Sequence, residues 1–522
     1  MYKENPFGNP DGARANINEL NEMFILDTPY AVDFTNNIEN LITKRVIVGA
    51  KGSGKTVYLR KIKSVLEEKA NNRTGIFVDD TIDQQLNCTE KIVMICDFHK
   101  ENVLSEKWTG FWKIAIYISL ACKLINDSNL SSYLDNEEKN EIKILLEKHK
   151  LYFKNAISVY EAFYAMTTHI DTPNKCNQML EAHEWITLKS TLGTLLRKLP
   201  VIYMFLDSID TEYEHAPMHW CFCQKGLFYA VMDLLQSQRF GERLHIIMAM
   251  RNNVFNNILR SEHSTKFSQE SHVFCLDWSF ENIKYFLKEK IKKLGNCYFT
   301  NRQSTDEEKN IFNWLGVTTI YNPNRDINED IISYIIRHTR LVPRDVIIIC
   351  NQLSKAKRNL EMNSNFDVCK FIRDTVERNS TSFGNELITI CAKNISANQL
   401  PKNAGKDRYA ETFIATDPYK VGSYDKLKQV LKTISSDRIL ASELSRIEQR
   451  ANDIFETNVF VSDVLWQNGA LGYIDNDGFA CYFSQHSTEE QKIPEKEVYI
   501  FRSCIAGCLK LKNVDKCVEE IK

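Results

Sequence analysis

The 522-residue sequence predicts an α/β protein: a parallel sheet with a helical insertion, then a helical lid and a C-terminal winged-helix-like domain. Three observations predict this. Apolar runs of strand length recur at Arg45–Val48, Val201–Leu206, Leu244–Met250 and Val273–Trp278, with helical patterns between them. A glycine-rich loop, Gly49 to Thr56, stands between the first run and a helical stretch, Val57 to Ala70. Near the C-terminus, helical segments precede a hairpin pattern around Asp475-Asn476-Asp477-Gly478.

Composition sets the outer limits. With 43% hydrophobic and 26% charged residues, and only 19 Gly and 11 Pro, the chain is globular rather than disordered or fibrous. The 66 Lys and Arg nearly balance 68 Asp and Glu, so no overall field draws it to nucleic acid or an anionic membrane, and any polyanion must be gripped locally. The longest apolar runs fall far short of the ~18 residues of a membrane span, and the polar N-terminus has no secretory h-region. A cytoplasmic protein with no membrane partner is therefore expected. The 15 Cys follow no framework spacing and are expected to be thiols.

Residues Lys44 to Arg60 read KRVIVGAKGSGKTVYLR, and Gly49-Ala50-Lys51-Gly52-Ser53-Gly54-Lys55-Thr56 match G-x-x-x-x-G-K-[ST] in full. Glycines let the backbone fold around phosphates and present N–H groups, together with the positive end of the next helix, to the anion. Lys55 is then expected at the β- and γ-phosphates of ATP and the Thr56 hydroxyl on Mg²⁺. The competing reading, a glycine turn that holds no ligand, does not account for the strand–loop–helix context. Hydrolysis needs an acid on a second strand. The run ending in Phe205-Leu206-Asp207-Ser208-Ile209-Asp210 supplies one, with Asp207 expected on Mg²⁺. Ser208 stands where an adjacent base would be, so Asp210 is the expected water-polarising base, with Glu212 a second candidate.

The third run ends in Arg251-Asn252-Asn253. Arg251 and Asn252 are expected beside the acidic strand end, where a guanidinium meets developing phosphoryl charge and an amide orients water. Asn252 as a helix cap is the plainer alternative. Arg260 could act as an arginine finger toward a neighbouring subunit, although a solvated surface Arg is the commoner case.

Laid out in order, these residues resemble a bacterial group of P-loop ATPases of the AAA+/STAND/KAP type. The resemblance rests on Pro6-Phe7-Gly8-Asn9 ahead of the loop, the D-x-h-D run at Asp207 to Asp210, Leu276-Asp277-Trp278-Ser279 opening a lid, and Pro343-Arg344-Asp345-Val346-Ile347 within it. It implies ATP hydrolysis, an arginine near the γ-phosphate that is either Arg340 or, preferably, Arg344, and a switch in antiphage defence. Such a switch would work as a homo-oligomer or through a separate effector protein. Asn253 departs from the group, which tends to carry an acid there. A DNA-associated initiator or loader ATPase and a nucleotide-binding scaffold without turnover are the alternatives.

The organisation expected is an ATPase core over residues 1–280, with a strand at Ile92–Asp97 and a helical insertion over about 100–198. Turns are expected near Asp127-Ser128-Asn129 and Asp171-Thr172-Pro173-Asn174. A helical lid follows over 281–394, opening with an amphipathic helix at Phe280–Gly295. A linker with Pro401, Gly405, Pro418 and Gly422 spans 395–423, and a winged-helix-like domain fills 424–522. Residues Ala441 to Lys522 hold 9 Lys and Arg against 14 Asp and Glu, so this end is a poor duplex binder and a protein contact is expected instead. Finally, His215, His219, Cys221 and Cys223 form a zinc-competent set at a spacing unlike the common fingers, for which plain packing is the expectation.

Overall fold

Five parallel strands form the central sheet of the computed structural model, which describes residues 2–26, 45–69, 75–78, 89–99, 101–153, 157–207, 217–237, 240, 242–259, 272–276, 278–301, 303–323, 325–355, 366–398, 423–455, 460–483 and 492–511. They are β1 (Val46–Gly49), β2 (Gly75–Val78), β3 (Ile202–Leu206), β4 (Leu244–Arg251) and β5 (Val273–Cys275), in the order β2-β3-β4-β1-β5. Every pairing is parallel. Continuous apolar runs suit such strands because both sheet faces are covered. Val46, Val48, Met204 and Met248 enter one core, while Ile47, Phe205 and Ile247 enter another on the opposite face.

Six helices flank the sheet: α1 (Ile17–Met23), α2 (Lys55–Lys69), α3 (Thr89–Phe98), α4 (Glu101–Asn126), α5 (Pro217–Gln236) and α6 (Asn252–Leu259). From α2, Tyr58, Leu59 and Ile62 pack on the Ile47 face. On the other face α4 and α5 cross at Gly226, where a Cβ would lie 2.3 Å from that of Trp108, so only glycine permits this approach. Among the described residues, Val103–Asn126 is long and apolar enough to cross a membrane by length and composition, and 83% of its most apolar window is buried inside the molecule. The two expected turns are helix starts. Asp127 accepts from the N–H groups of Asn129 and Leu130, and Thr172 accepts from that of Lys175 with Pro173 at the first helical position.

One strand is corrected. Ile92–Asp97 lies within helix α3, and the sheet edge is β2 instead. Period alone cannot separate a short apolar run from a buried helix. Here Ile92, Val93 and Cys96 fall on one helical face and are buried.

The lid comprises α7 (Phe280–Lys292), α8 (Pro343–Leu353), α9 (Val368–Asn398) and shorter helices, and it is not purely helical. It also holds an antiparallel hairpin of β6 (Thr319–Asn322) and β7 (Ile327–Asp330), whose first strand alternates exposed and buried residues. Helix α9 continues past the expected boundary, so residues 395–398 are helical because Ile388, Cys391 and Ile395 extend one buried face. Residues 399–422 of the expected linker, with Pro401, Gly405, Pro418 and Gly422, lie outside the described residues, and Ser423 begins a helix.

The C-terminal region contains a helix at Ser423–Leu431, α10 (Ala441–Phe455), α11 (Val461–Gln467) and α12 (Ser503–Leu509). The expected hairpin is present as β9 (Leu471–Ile474) and β10 (Ala480–Cys481), its turn held by Asp475, which accepts from the N–H groups of Asp477 and Phe479. Two further strands, β8 (Arg438–Leu440) and β11 (Val498–Phe501), extend it to four in the order β10-β9-β11-β8. Neither is among the elements expected from the sequence. Lid and C-terminal residues, such as Ile372, Leu387, Leu465 and Ile505, share one apolar core.

Candidate functional site

Because all five strands run the same way, their C-terminal ends open on one edge. Gly49 pairs in register with Arg251 and Leu206 with Met248, which brings the glycine loop, the residue after β3 and the end of β4 onto that edge. The loop geometry explains its composition. Gly52 and Gly54 have φ of +90° and +96°, and a Cβ on Gly49 would meet Ser53 Oγ at 2.4 Å. Ser53 is 1% exposed, and its carbonyl accepts from Trp278 Nε1 at 2.8 Å, which pins the loop from the lid side. Tyr58 N–H to Gly54 O opens the hydrogen bonding of α2, leaving the N–H groups of Lys55, Thr56 and Val57 without helical acceptors. Lys55 Nζ donates to Gly49 O at 3.0 Å and Ala50 O at 2.9 Å.

Around the loop lies an open cleft of about 180 Å³. Thr56 and Asp207 both line it, as do Lys51, Lys55, Arg251 and Arg344. The charged lining comprises these four cations against Asp11 and Asp207, a balance suited to a polyanion that also brings a cation. Arg344 reaches it as the second residue of α8. Its backbone N–H donates to Gly52 O at 3.3 Å, and its Nε donates to Pro10 O at 3.2 Å. Arg340 points elsewhere. It holds Asp345 through Nε and Nη2 at 2.8 and 2.6 Å and Glu386 through Nη1 at 3.0 Å. Burial opposes its charge, yet Asp345 and then Glu386 outweigh that and keep the guanidinium firmly protonated.

Asn252, the first residue of α6, is not among the residues that line the cleft; its side chain accepts from the N–H of Asn253 at 3.0 Å. Asp210, Glu212, Arg260 and His215 lie outside the described residues. His219, Cys221 and Cys223 are buried on α5, and no group of three metal-competent side chains occurs among the described residues.

The structure adds lining residues without an expected site role: Asn9, from the motif ahead of the loop, with Pro10, Asp11 and Gly12 of the N-terminal arm, and Gln224 from α5. The arm is held by Asn351, which accepts from Phe7 N–H at 2.9 Å and donates to Gly8 O at 3.0 Å, and by Lys290 Nζ, which donates to Phe7 O at 3.1 Å. The Pro6 to Asn9 segment of the resemblance and the turn-rich composition of residues 5–12 were its signals. Gln224 with Lys225, a polar pair inside an apolar helix, was the other available signal. Beside the cleft, and sharing Gly54, Val57, Pro343 and Ile347 with it, lies an apolar recess faced by Tyr58, Trp278 and Phe286.

Burial, and then Lys293, push the Lys290 ammonium down from 10.5 to about 7. Between these values the unfolded chain binds a proton that the folded one lacks, so this group's contribution to stability rises with pH. Lys290→Met is expected to flatten that rise, read as the urea midpoint at about pH 7 and about pH 9.5.

The long helix α9 touches both ends of the molecule. Its Glu386 bridges Lys51 of the loop at 3.2 Å and Arg340. Its Asn394 accepts from Asn253 Nδ2 at 3.2 Å and donates to Asn468 Oδ1, beyond α11, at 2.7 Å.

Fold and site together define an α/β protein with a polar, cation-rich cleft at the C-terminal edge of a parallel sheet. Compared with known proteins, the chain matches no family model, no curated protein and no solved structure.

Proposed function

We propose that this protein is a Mg²⁺-dependent ATPase that works as a nucleotide-driven conformational switch. The observation that carries the reading is the convergence of Lys55, Thr56, Asp207, Arg251 and Arg344 on one cleft around a glycine loop that opens a helix. These N–H groups and Lys55 would take the phosphates, with Lys55 exchanging its two carbonyl acceptors for phosphate oxygens. The Thr56 hydroxyl and the Asp207 carboxylate are the residues that would hold Mg²⁺, which would neutralise phosphate charge. Arg251 and Arg344 lie where a γ-phosphate would develop charge, and Asp210 is the proposed base. The apolar recess suits a nucleotide base.

The switch reading draws support from α9, which joins the glycine loop and Asn253 on one side to Asn468 on the other. We read the C-terminal helices and four-stranded sheet as winged-helix-like, with a protein-contact role that follows from the acidic balance. Oligomerisation, control of a separate effector and antiphage defence belong to the same proposal through the resemblance.

Phosphate release with Mg·ATP tests it. Asp210→Asn is expected to slow hydrolysis by about 10²-fold or more while nucleotide affinity stays within a few-fold. Binding without any turnover in the unaltered protein would favour a scaffold, and salt-dependent duplex binding would favour a loader.

A further inference from the structure

We propose a second ligand site, for a small phosphate monoester, in the polar cavity between the lid and the C-terminal helices. The cavity, about 300 Å³, is lined by Arg325 from the β6–β7 turn, Arg337 from the helix Ile331–Arg337, Glu377 and Ser380 from α9, Ser503 from α12 and Lys510 just beyond it. Its polar lining is unusually deep. Arg325, Arg337, Ser380 and Ser503 are 1%, 4%, 2% and 7% exposed.

Two features point to an acceptor-rich guest. First, the acids that balance the arginines, Asp437 for Arg325 and Glu329 for Arg337, are absent from the cavity wall, so the lining side of each ion pair is its guanidinium. Second, the hydroxyls are short of acceptors. Ser380 Oγ is buried with no hydrogen-bond partner. Ser503 Oγ already accepts from Arg325 Nη2 and Arg337 Nη1, both at 3.3 Å, which leaves its own O–H to donate. An unpaired buried hydroxyl costs about 1–3 kcal/mol, and one water would satisfy it, yet the void is far larger than one water requires.

The wall carries one acid, Glu377, whose carboxyl is pushed up by burial and by Asp374 toward the neutral form. His338, also on the wall, is held neutral by burial and by Arg337 and adds no charge. Guanidinium forks, an ammonium and two seryl hydroxyls form a donor set for a tetrahedral oxyanion. The remaining volume fits a compact sugar rather than a bare ion. Because the wall comes from the lid, α9 and α12, occupancy would tie the lid to the C-terminal helices.

This inference does not draw on the nucleotide reading, and its test keeps the two apart. Titration calorimetry would use the 522-residue chain carrying Lys55→Ala in chloride buffer, so that phosphate binding at the glycine loop is weakened, and Ser380→Ala then assigns what binding remains. The probes are inorganic phosphate, ribose 5-phosphate and neutral ribose. Ribose 5-phosphate is expected to bind with Kd below about 1 mM and to raise the unfolding temperature, inorganic phosphate to bind more weakly, and ribose not at all. Ser380→Ala should weaken binding about 5- to 10-fold. Gly507→Leu should abolish it, because a Cβ there meets only Ser380 Oγ, at 3.9 Å, and the longer side chain fills the void. Should Gly507→Leu fail to fold, Ser380→Ala decides alone. No binding of either phosphate probe up to about 10 mM, or binding unchanged by Ser380→Ala, overturns the proposal and leaves a water-filled cavity.

Discussion

Lys55→Ala is expected to weaken ATP binding by about 10- to 100-fold and to eliminate turnover. Lys55 is the first residue of α2, and a charge-assisted hydrogen bond from its ammonium to phosphate contributes about 1.5–3 kcal/mol. Each 1.4 kcal/mol is tenfold in affinity. The fold should survive, since the Lys55 ammonium donates to the carbonyls of Gly49 and Ala50 while the loop is held independently by Trp278, by Arg344 and by its glycines. Nucleotide titration alongside thermal unfolding checks both halves. Unchanged affinity would remove the loop from the nucleotide site, and a collapsed unfolding temperature would reassign Lys55 to structure.

Asp345→Ala should produce the largest loss of stability. Asp345 is fully buried, and its carboxylate accepts three times from Arg340: from the backbone N–H at 3.0 Å, Nε at 2.8 Å and Nη2 at 2.6 Å. Removing it leaves a guanidinium that is 5% exposed with Glu386 as its remaining carboxylate partner, the situation in which breaking a buried pair costs about 3–5 kcal/mol. Denaturant unfolding reads that cost. A value under about 1 kcal/mol, the range of exposed pairs such as Lys175 with Asp171, would contradict it. The effect should extend to the cleft. Asp345 lies in the first turn of α8 beside Arg344, and Glu386 links Arg340 to Lys51 of the loop. Nucleotide affinity should therefore fall as well, less than in Lys55→Ala.

Much of the candidate site was legible because its determinants are local. The glycines of residues 49–54 are required by two positive φ angles and a near-clash with Ser53, which are properties of the segment itself. The apolar runs of β3 and β4 end in Asp207 and Arg251, and parallel strands put those ends on one edge. The turns at Asp127 and Thr172 were equally readable, since capping is a contact between near neighbours. Misreadings arose where local pattern underdetermines structure. Ile92–Asp97 carries β-branched residues and still forms a helix.

By itself, then, the chain determined its α/β character, the shape of the loop at Gly49 to Thr56 and the acid after β3, because steric limits and strand direction act over a few residues. Only the tertiary structure paired Arg340 with Asp345 and Glu386 away from the cleft, brought the arm at Asn9 to Gly12 against the glycine loop, made β2 a sheet edge and formed the polar cavity around Ser380. Those outcomes depend on partners hundreds of residues apart, as in the hydrogen bond from Arg344 to Pro10 across 334 positions, which no periodicity or spacing encodes. They are settled by which buried charges and hydroxyls find partners when the sheet, the lid and the C-terminal helices pack together.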